Sequence, residues 1–330
     1  MILNETKKQF RLTNELMKYT PFKPTTSGLI QLHEIDKREI VPFIDWTFFY
    51  MAWRISGKYE GIETVHDCLS CKMSWLQNFP EAERPKAEEA LKLYKDAQAM
   101  LLRFLDEKIL TINASFGIFP GFSRDDDIFM SDGENTVSIQ MLRQQHPSSD
   151  GFCYSLADFV AEENDYVGAF ATTVTGVEAF AEAFEKEDNV YDSILAKTLS
   201  DRLAEAAAEW LHWKVRKEYW GYAADENFSI KEMLKTQYSG IRPAVGYPSL
   251  PDQSIIFNLE PLLKFSEIGI TLTENGAMFP NASVCGLYFA HPKSKYFMIG
   301  KIDEQQFLDY ARRRQMKPEV LHKWMAANLR

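Results

Sequence analysis

Cysteine is scarce. The 330 residues hold four, Cys68, Cys71, Cys153 and Cys285, and only the first two are neighbours. That excludes the disulfide framework of a small secreted scaffold. Positive charge is also in deficit, with 37 lysines and arginines against 47 aspartates and glutamates and a net charge of -10. Neither a nucleic acid nor an anionic membrane is expected as a partner. No apolar run reaches the roughly 20 residues that cross a bilayer. The most apolar stretch, 40–53, is shorter and is broken by Pro42 and Asp45. Residues 1–10 contain no apolar core of signal-peptide length, so a cytoplasmic location is expected. Chemical motifs are missing as well: there is no Gly-x-Gly-x-x-Gly after a strand, no phosphate loop, no His-Glu-x-x-His and no Gly-x-Ser-x-Gly. A dinucleotide fold and the doubly wound methyltransferase fold are therefore not expected.

What is present is globular composition, 45% hydrophobic and 25% charged, enough for one large core or two medium ones. Apolar residues recur at helical spacing over 86–105, 177–187, 193–219, 304–314 and 318–329, the last starting at Pro318, where a first turn tolerates proline. Strand patterns cover 111–119, 127–130, 136–142, 167–174, 283–290 and 296–301. Residues 291–295 read as a hairpin turn between the last two. Strands grouped apart from helices predict an α+β fold, with a central twisted, mostly antiparallel sheet and helices packed at its ends and one face. No linker or repeat divides the chain. Residues 1–330 are expected to form a single domain, with 1–30 as an extended arm and 61–85 as an insertion.

Five constellations stand out from this background. Asp45 lies in an apolar aromatic segment, either as a helix N-cap or as a carboxylate with a partner. Thr198, Arg202, Glu205, Glu209, His212 and Arg216 recur every three or four residues, a pattern that also describes a solvated helix face. Ile241-Arg242-Pro243-Ala244-Val245-Gly246-Tyr247-Pro248 is an irregular loop whose backbone groups can be offered to a ligand, with Arg242 as a planar fork for a carboxylate. Arg312-Arg313-Arg314 is the one dense basic run, either a solvated helix end or a dock for an acidic partner. His66, Cys68 and Cys71 leave three readings open: a metal site, a redox pair or ordinary cysteines.

These pieces also occur together in a known family. Ile44-Asp45-Trp46-Thr47 with Phe49 and Trp53 resembles its opening signature. Leu156-Ala157-Asp158-Phe159-Val160-Ala161 and Asp165-Tyr166-Val167-Gly168-Ala169-Phe170 resemble its middle. Asp201-Arg202-Leu203-Ala204-Glu205, then Val215-Arg216-Lys217 and Tyr219-Trp220-Gly221-Tyr222-Ala223, resemble its long helix and the exit from it. Gly240-Ile241-Arg242-Pro243-Ala244 with Gly246-Tyr247-Pro248 is its most distinctive loop. Ser283-Val284, Gly286, Tyr288-Phe289, His291-Pro292 and Ser294-Lys295-Tyr296 resemble its final hairpin. From about residue 44 to 329 the chain resembles the S-adenosylmethionine-binding activation domain of cobalamin-dependent methionine synthase.

The resemblance implies a methyltransferase module in methionine biosynthesis that does not turn over by itself. S-adenosylmethionine would be its ligand, a cobalamin-binding module its partner and a flavodoxin-like protein the electron donor. The reaction implied is reductive methylation of cob(II)alamin to methylcobalamin. The resemblance also distributes roles. Arg242 suits the ligand carboxylate, Asp45 and Glu205 its cationic end or a hydroxyl, and Arg202 orients Glu205. Backbone groups of Pro243, Ala244 and Gly246 face the adenine, and the rings of Tyr296 and Phe297 pack on the ligand. Phe297 stands where some relatives have a tyrosine. Tyr247 and Asp201 face the cobalamin partner. No side chain is expected as a nucleophile or base, and no metal site is expected. Because the sequence holds no cobalamin, folate or homocysteine module, a second reading stays open: a free-standing S-adenosylmethionine sensor or adaptor without a catalytic role.

Overall fold

The computed structural model describes residues 19–106 and 108–330. Its centre is a six-stranded, wholly antiparallel sheet in the order β4-β3-β2-β5-β8, with β1 also paired to β2. The strands are β1 (Gly28–Leu32), β2 (Thr111–Arg124), β3 (Asp127–Ser131), β4 (Thr136–Gln140), β5 (Asp165–Thr175) and β8 (Ser283–Tyr288). A separate two-residue ladder joins β6 (Thr271–Leu272) to β7 (Met278–Phe279). The helices longer than one turn are α1 (Trp46–Ala52), α2 (Leu69–Leu76), α3 (Arg84–Asp106), α4 (Val177–Lys186), α5 (Val190–Lys214), α6 (Ile256–Leu263), α7 (Glu304–Arg313) and α8 (Pro318–Met325). The α+β fold with a central antiparallel sheet is the expected one, in a single domain.

Alternation along the strands builds two cores, because successive side chains leave opposite faces of a sheet. Phe116, Phe170, Val174, Val284 and Tyr288 face α1, α3 and α5. Val167, Ala169, Ala171, Cys285 and Leu287 face α6, α7 and α8, which cover the second face. Strand β2 serves both ends of the curled sheet: its first part pairs with β1, its last with β3, and its 111–121 segment with β5. Helix α5 lies along the first face and contacts β5 and β8.

Two expectations are corrected. Residues 1–18 of the predicted arm lie outside the described residues; beyond them the arm is partly regular, since Gly28–Leu32 is the edge strand β1. Residue 22 lies against the segment that follows α5, where the Trp220 indole donates to the Phe22 carbonyl at 2.9 Å. The second correction concerns the final hairpin. Residues 296–301 do not form a strand against β8. The free edge of β8 is already taken by the loop at 241–245. Ile241 and Phe289 exchange both backbone hydrogen bonds, Val245 N–H donates to Cys285 C=O at 2.9 Å, and Leu287 N–H donates to Pro243 C=O at 3.0 Å. Residues 296–299 attach to that loop instead, through the Phe297 C=O and Ser249 Oγ and through Ile299 N–H donating to Pro248 C=O. Pro243 accepts from the Leu287 N–H but has no N–H to return, so the pairing at this position is one-sided.

The segment 61–85 contains α2 and two short turns, and Trp75 and Leu76 are buried. Cys68 caps the start of α2 and is joined to Cys71 by a disulfide, so the two are not unpaired thiols. Cys153 and Cys285 are free and buried.

The close approach of the loop to β8 depends on Gly286. A Cβ there would lie 2.4 Å from the Pro243 carbonyl oxygen and 2.9 Å from the Ala244 Cα, both backbone atoms. The variant Gly286→Ala is therefore expected to lose about 1–3 kcal/mol of stability, as read by urea denaturation; an unchanged midpoint and slope would show that the loop yields freely.

Candidate functional site

The loop at 241–248, the face of α5 and the start of α1 enclose a cavity of about 490 Å³. Each wall follows from local sequence. Asp45 caps α1, its Oδ1 accepting the Thr47 N–H at 2.9 Å, which is the capping reading, and it also lines the cavity. On α5, Arg202, Glu205, Ala206 and Glu209 fall at i, i+3, i+4 and i+7 and line one side. Along the loop, Ile241 and Val245 enter the second core while Ala244 enters the first. Arg242 shares the face of Ala244 by the same alternation and is directed towards α5.

Arg242 meets a carboxylate, and that carboxylate is Glu209. Its Nε and Nη2 both donate to Glu209 Oε2, at 2.9 and 2.8 Å. The pair is largely buried, with side chains 17% and 6% exposed. Burial alone would weaken the guanidinium, but the adjacent Glu209 outweighs it and moves the Arg242 pKa well above its ordinary value. The Arg242 backbone is held as well, its N–H donating to Tyr296 Oη at 3.0 Å. Glu209 Oε1 and Arg202 Nε are buried without a hydrogen-bond partner among the described residues. Glu205 accepts a hydrogen bond from Tyr247 Oη at 2.9 Å. Partial burial and this carboxylate push the Tyr247 phenol up to about 12, so it remains the donor.

The expected site residues are largely brought together. Asp45, Arg202, Glu205, Arg242, Pro243 and Ala244 line the cavity, as do Tyr247, Tyr296 and Phe297. Gly246 does not; its N–H donates to Leu250 C=O at 2.8 Å within a tight turn, where its φ of +84° suits glycine. The Pro243 carbonyl is likewise engaged by β8. Ala244 stands opposite Gly286 in a non-hydrogen-bonded position, so its N–H is turned away from the strand. Tyr296 is half-exposed at the rim and Phe297 is buried. Asp201 is exposed on α5 outside the cavity, its carboxyl shifted upward by partial desolvation and by Glu205 and Glu178 against the pull of Arg202.

Residues 36–315 match the family described as vitamin B12 dependent methionine synthase, activation domain. The chain belongs to this family. Among solved structures, it is similar to the crystal structure of the MetH reactivation domain bound to AdoHcy, with 38% sequence identity and a TM-score of 0.84 over 98% of this chain and 97% of that chain. No helix among the described residues of this activation domain is long and apolar enough to cross a membrane.

Several features of the activation-domain site escaped sequence reasoning. Phe43, Phe48, Leu234, Tyr238 and Met298 complete its apolar lining. Glu209 was visible as part of the α5 stripe, but the stripe is not a solvated face: Thr198, Arg202 and Glu205 are partly buried, and the last two line the cavity. Glu209, His212 and Arg216 are fully buried. Arg216 donates to His212 Nδ1 at 3.1 Å and Glu226 Oε2 at 2.9 Å, and lies 4.0 Å over the Tyr238 ring. The basic run at 312–314 also reads differently: Arg313 pairs with Asp127 and Asp309, and Arg314 with Asp252, Asn258 and Ser254. Only Arg312 of the three projects into solvent, at 74% exposure.

Burial, and then the charges of Arg216 and Arg242, hold His212 well below its ordinary pKa of 6.5. Below pH 6.5 the unfolded chain takes up a proton that the folded chain refuses. The resulting stability is complete above that pH and lost as pH falls. Between pH 7 and 5.5 the protein should lose about 1 kcal/mol through this group. His212→Gln should remove that increment from the pH dependence of urea unfolding; an equal slope in both proteins would contradict the assignment.

Proposed function

We propose that this activation domain binds S-adenosylmethionine in the cavity between α5 and the 241–248 loop, and presents it to the cobalamin of a partner module for reductive methylation. The observation that carries the reading is the convergence of Asp45, Glu205, Glu209, Arg202 and Arg242 on one apolar-walled cavity. Its size lies within the roughly 300–1,000 Å³ typical of small-molecule sites. Three carboxylates and two guanidiniums leave one negative charge in excess, which complements a ligand carrying a sulfonium, an ammonium and a carboxylate. The AdoHcy named in the related structure has the same skeleton without the sulfonium methyl.

The roles divide by chemistry. Arg242 offers Nη1, the guanidinium nitrogen not engaged by Glu209, to the ligand carboxylate. Asp45 and Glu205 receive the ammonium or a ribose hydroxyl. Ala244 supplies an N–H to the adenine edge. Tyr296 and Phe297 offer ring faces, and Tyr247, half-exposed at the rim, faces the partner. Bound S-adenosylmethionine supplies the methyl group that the reduced cobalamin of the partner accepts, with the electron coming from a flavodoxin-like donor. The protein binds, orients and encloses; it needs no nucleophile or base of its own. Asp201, exposed one residue before Arg202, is positioned to meet the partner.

Calorimetric titration of the domain with S-adenosylmethionine should give saturable one-to-one binding. Arg242→Ala should weaken it by about 1.5–3 kcal/mol, as expected for a charge-assisted contact. Undiminished binding by a folded variant would remove the assigned role.

A further inference from the structure

We infer that Glu209 is the positioning residue that makes the cavity selective for ligands bearing a carboxylate, acting through Arg242 rather than by contact with the ligand. This rests on the S-adenosylmethionine reading above and deepens it. Arg242 is gripped at two points. Its backbone N–H is fixed by Tyr296 Oη at 3.0 Å, and its guanidinium is fixed by Glu209 Oε2 at 2.9 and 2.8 Å. With Nε and Nη2 committed on one side, the planar fork has one orientation, and Nη1 is the nitrogen left for a ligand. A free arginine side chain would instead carry its full rotamer freedom into binding and lose it there.

The pair is an expensive way to hold the fold together. Glu209 is 5% exposed, and its Oε1 is buried without a hydrogen-bond partner among the described residues. A buried ion pair with an unsatisfied oxygen commonly stabilises no better than apolar side chains of similar volume. Its presence at the cavity wall is explained if the oriented Arg242 is what the pair provides. Glu205, one turn earlier, is engaged by Tyr247 and does not substitute for it.

The test compares two probes: S-adenosylhomocysteine, and 5′-methylthioadenosine, which keeps the adenosyl thioether and lacks the amino acid. Dissociation constants are measured for the wild type, Glu209→Gln and the double variant Glu209→Met/Arg242→Met, alongside thermal unfolding. The wild type should prefer S-adenosylhomocysteine. Glu209→Gln should weaken that probe about 10- to 100-fold and leave methylthioadenosine binding unchanged. The double variant should unfold at or above the wild-type temperature while discriminating no better than Glu209→Gln. Equal weakening of both probes by Glu209→Gln, or no weakening of either, would overturn the positioning role while leaving the ligand reading intact. Binding of neither probe by the wild type would overturn both.

Discussion

The structure turns on the free edge of β8. An antiparallel sheet that ends in an open edge invites another strand, and here the edge is closed by a loop with proline at its centre. Gly286 lets that loop approach to backbone contact, and the outward N–H of Arg242 is taken by Tyr296 Oη rather than by a further strand. The alternation imposed by pairing sends Ile241 and Val245 into one core and turns Arg242 towards α5. Arg242 is thus carried by a segment as well anchored as a strand and gripped by a helix that packs on the same sheet. A site built from sheet and helix keeps its geometry better than one built on an independent loop.

Much of this was legible in the sequence, and the parts that were not share a cause. The long helices and most of the strands follow from apolar spacing, a local property. The oddity of the 241–248 loop is also local, since two prolines and a glycine forbid regular structure. Its partner is not local. Glu209 is 33 residues before Arg242, and no spacing rule announces that the two meet. The α5 stripe misled for a related reason: charges at i, i+3 and i+4 look alike whether the face is bathed in water or buried against Tyr238 and Tyr288. The last predicted strand failed because its alternation is real, with Phe297 and Ile299 buried and Tyr296 and Met298 exposed, but the edge it would have joined was already occupied. Family resemblance supplied residues that composition could not, and Gly246 shows its limit, since that glycine serves the turn rather than the cavity wall.

Electrostatics give the site its character. The chain is acidic as a whole, and its cavity keeps a small negative excess around two arginines. Behind that wall, His212 remains neutral between Arg216 and Arg242, stacked on Tyr288 with centroids 5.2 Å apart. A third cation there would be desolvated and repelled by both guanidiniums. Such a network favours one arrangement of its members over others more than it adds stability. The same economy appears at 313–314, where two arginines that look available in sequence are consumed in fastening α7 to the sheet and to the start of α6.

The central claim is that the cavity is already formed for an adenosyl amino acid, with Arg242 preset as its carboxylate receptor. A crystal structure of the domain grown with S-adenosylhomocysteine tests this most directly. The account predicts the ligand carboxylate within hydrogen-bond distance of Arg242 Nη1, the Arg242–Glu209 pair intact, and the 241–248 backbone where it lies here. A ligand bound elsewhere, or a loop that leaves β8 to reach it, would contradict the account.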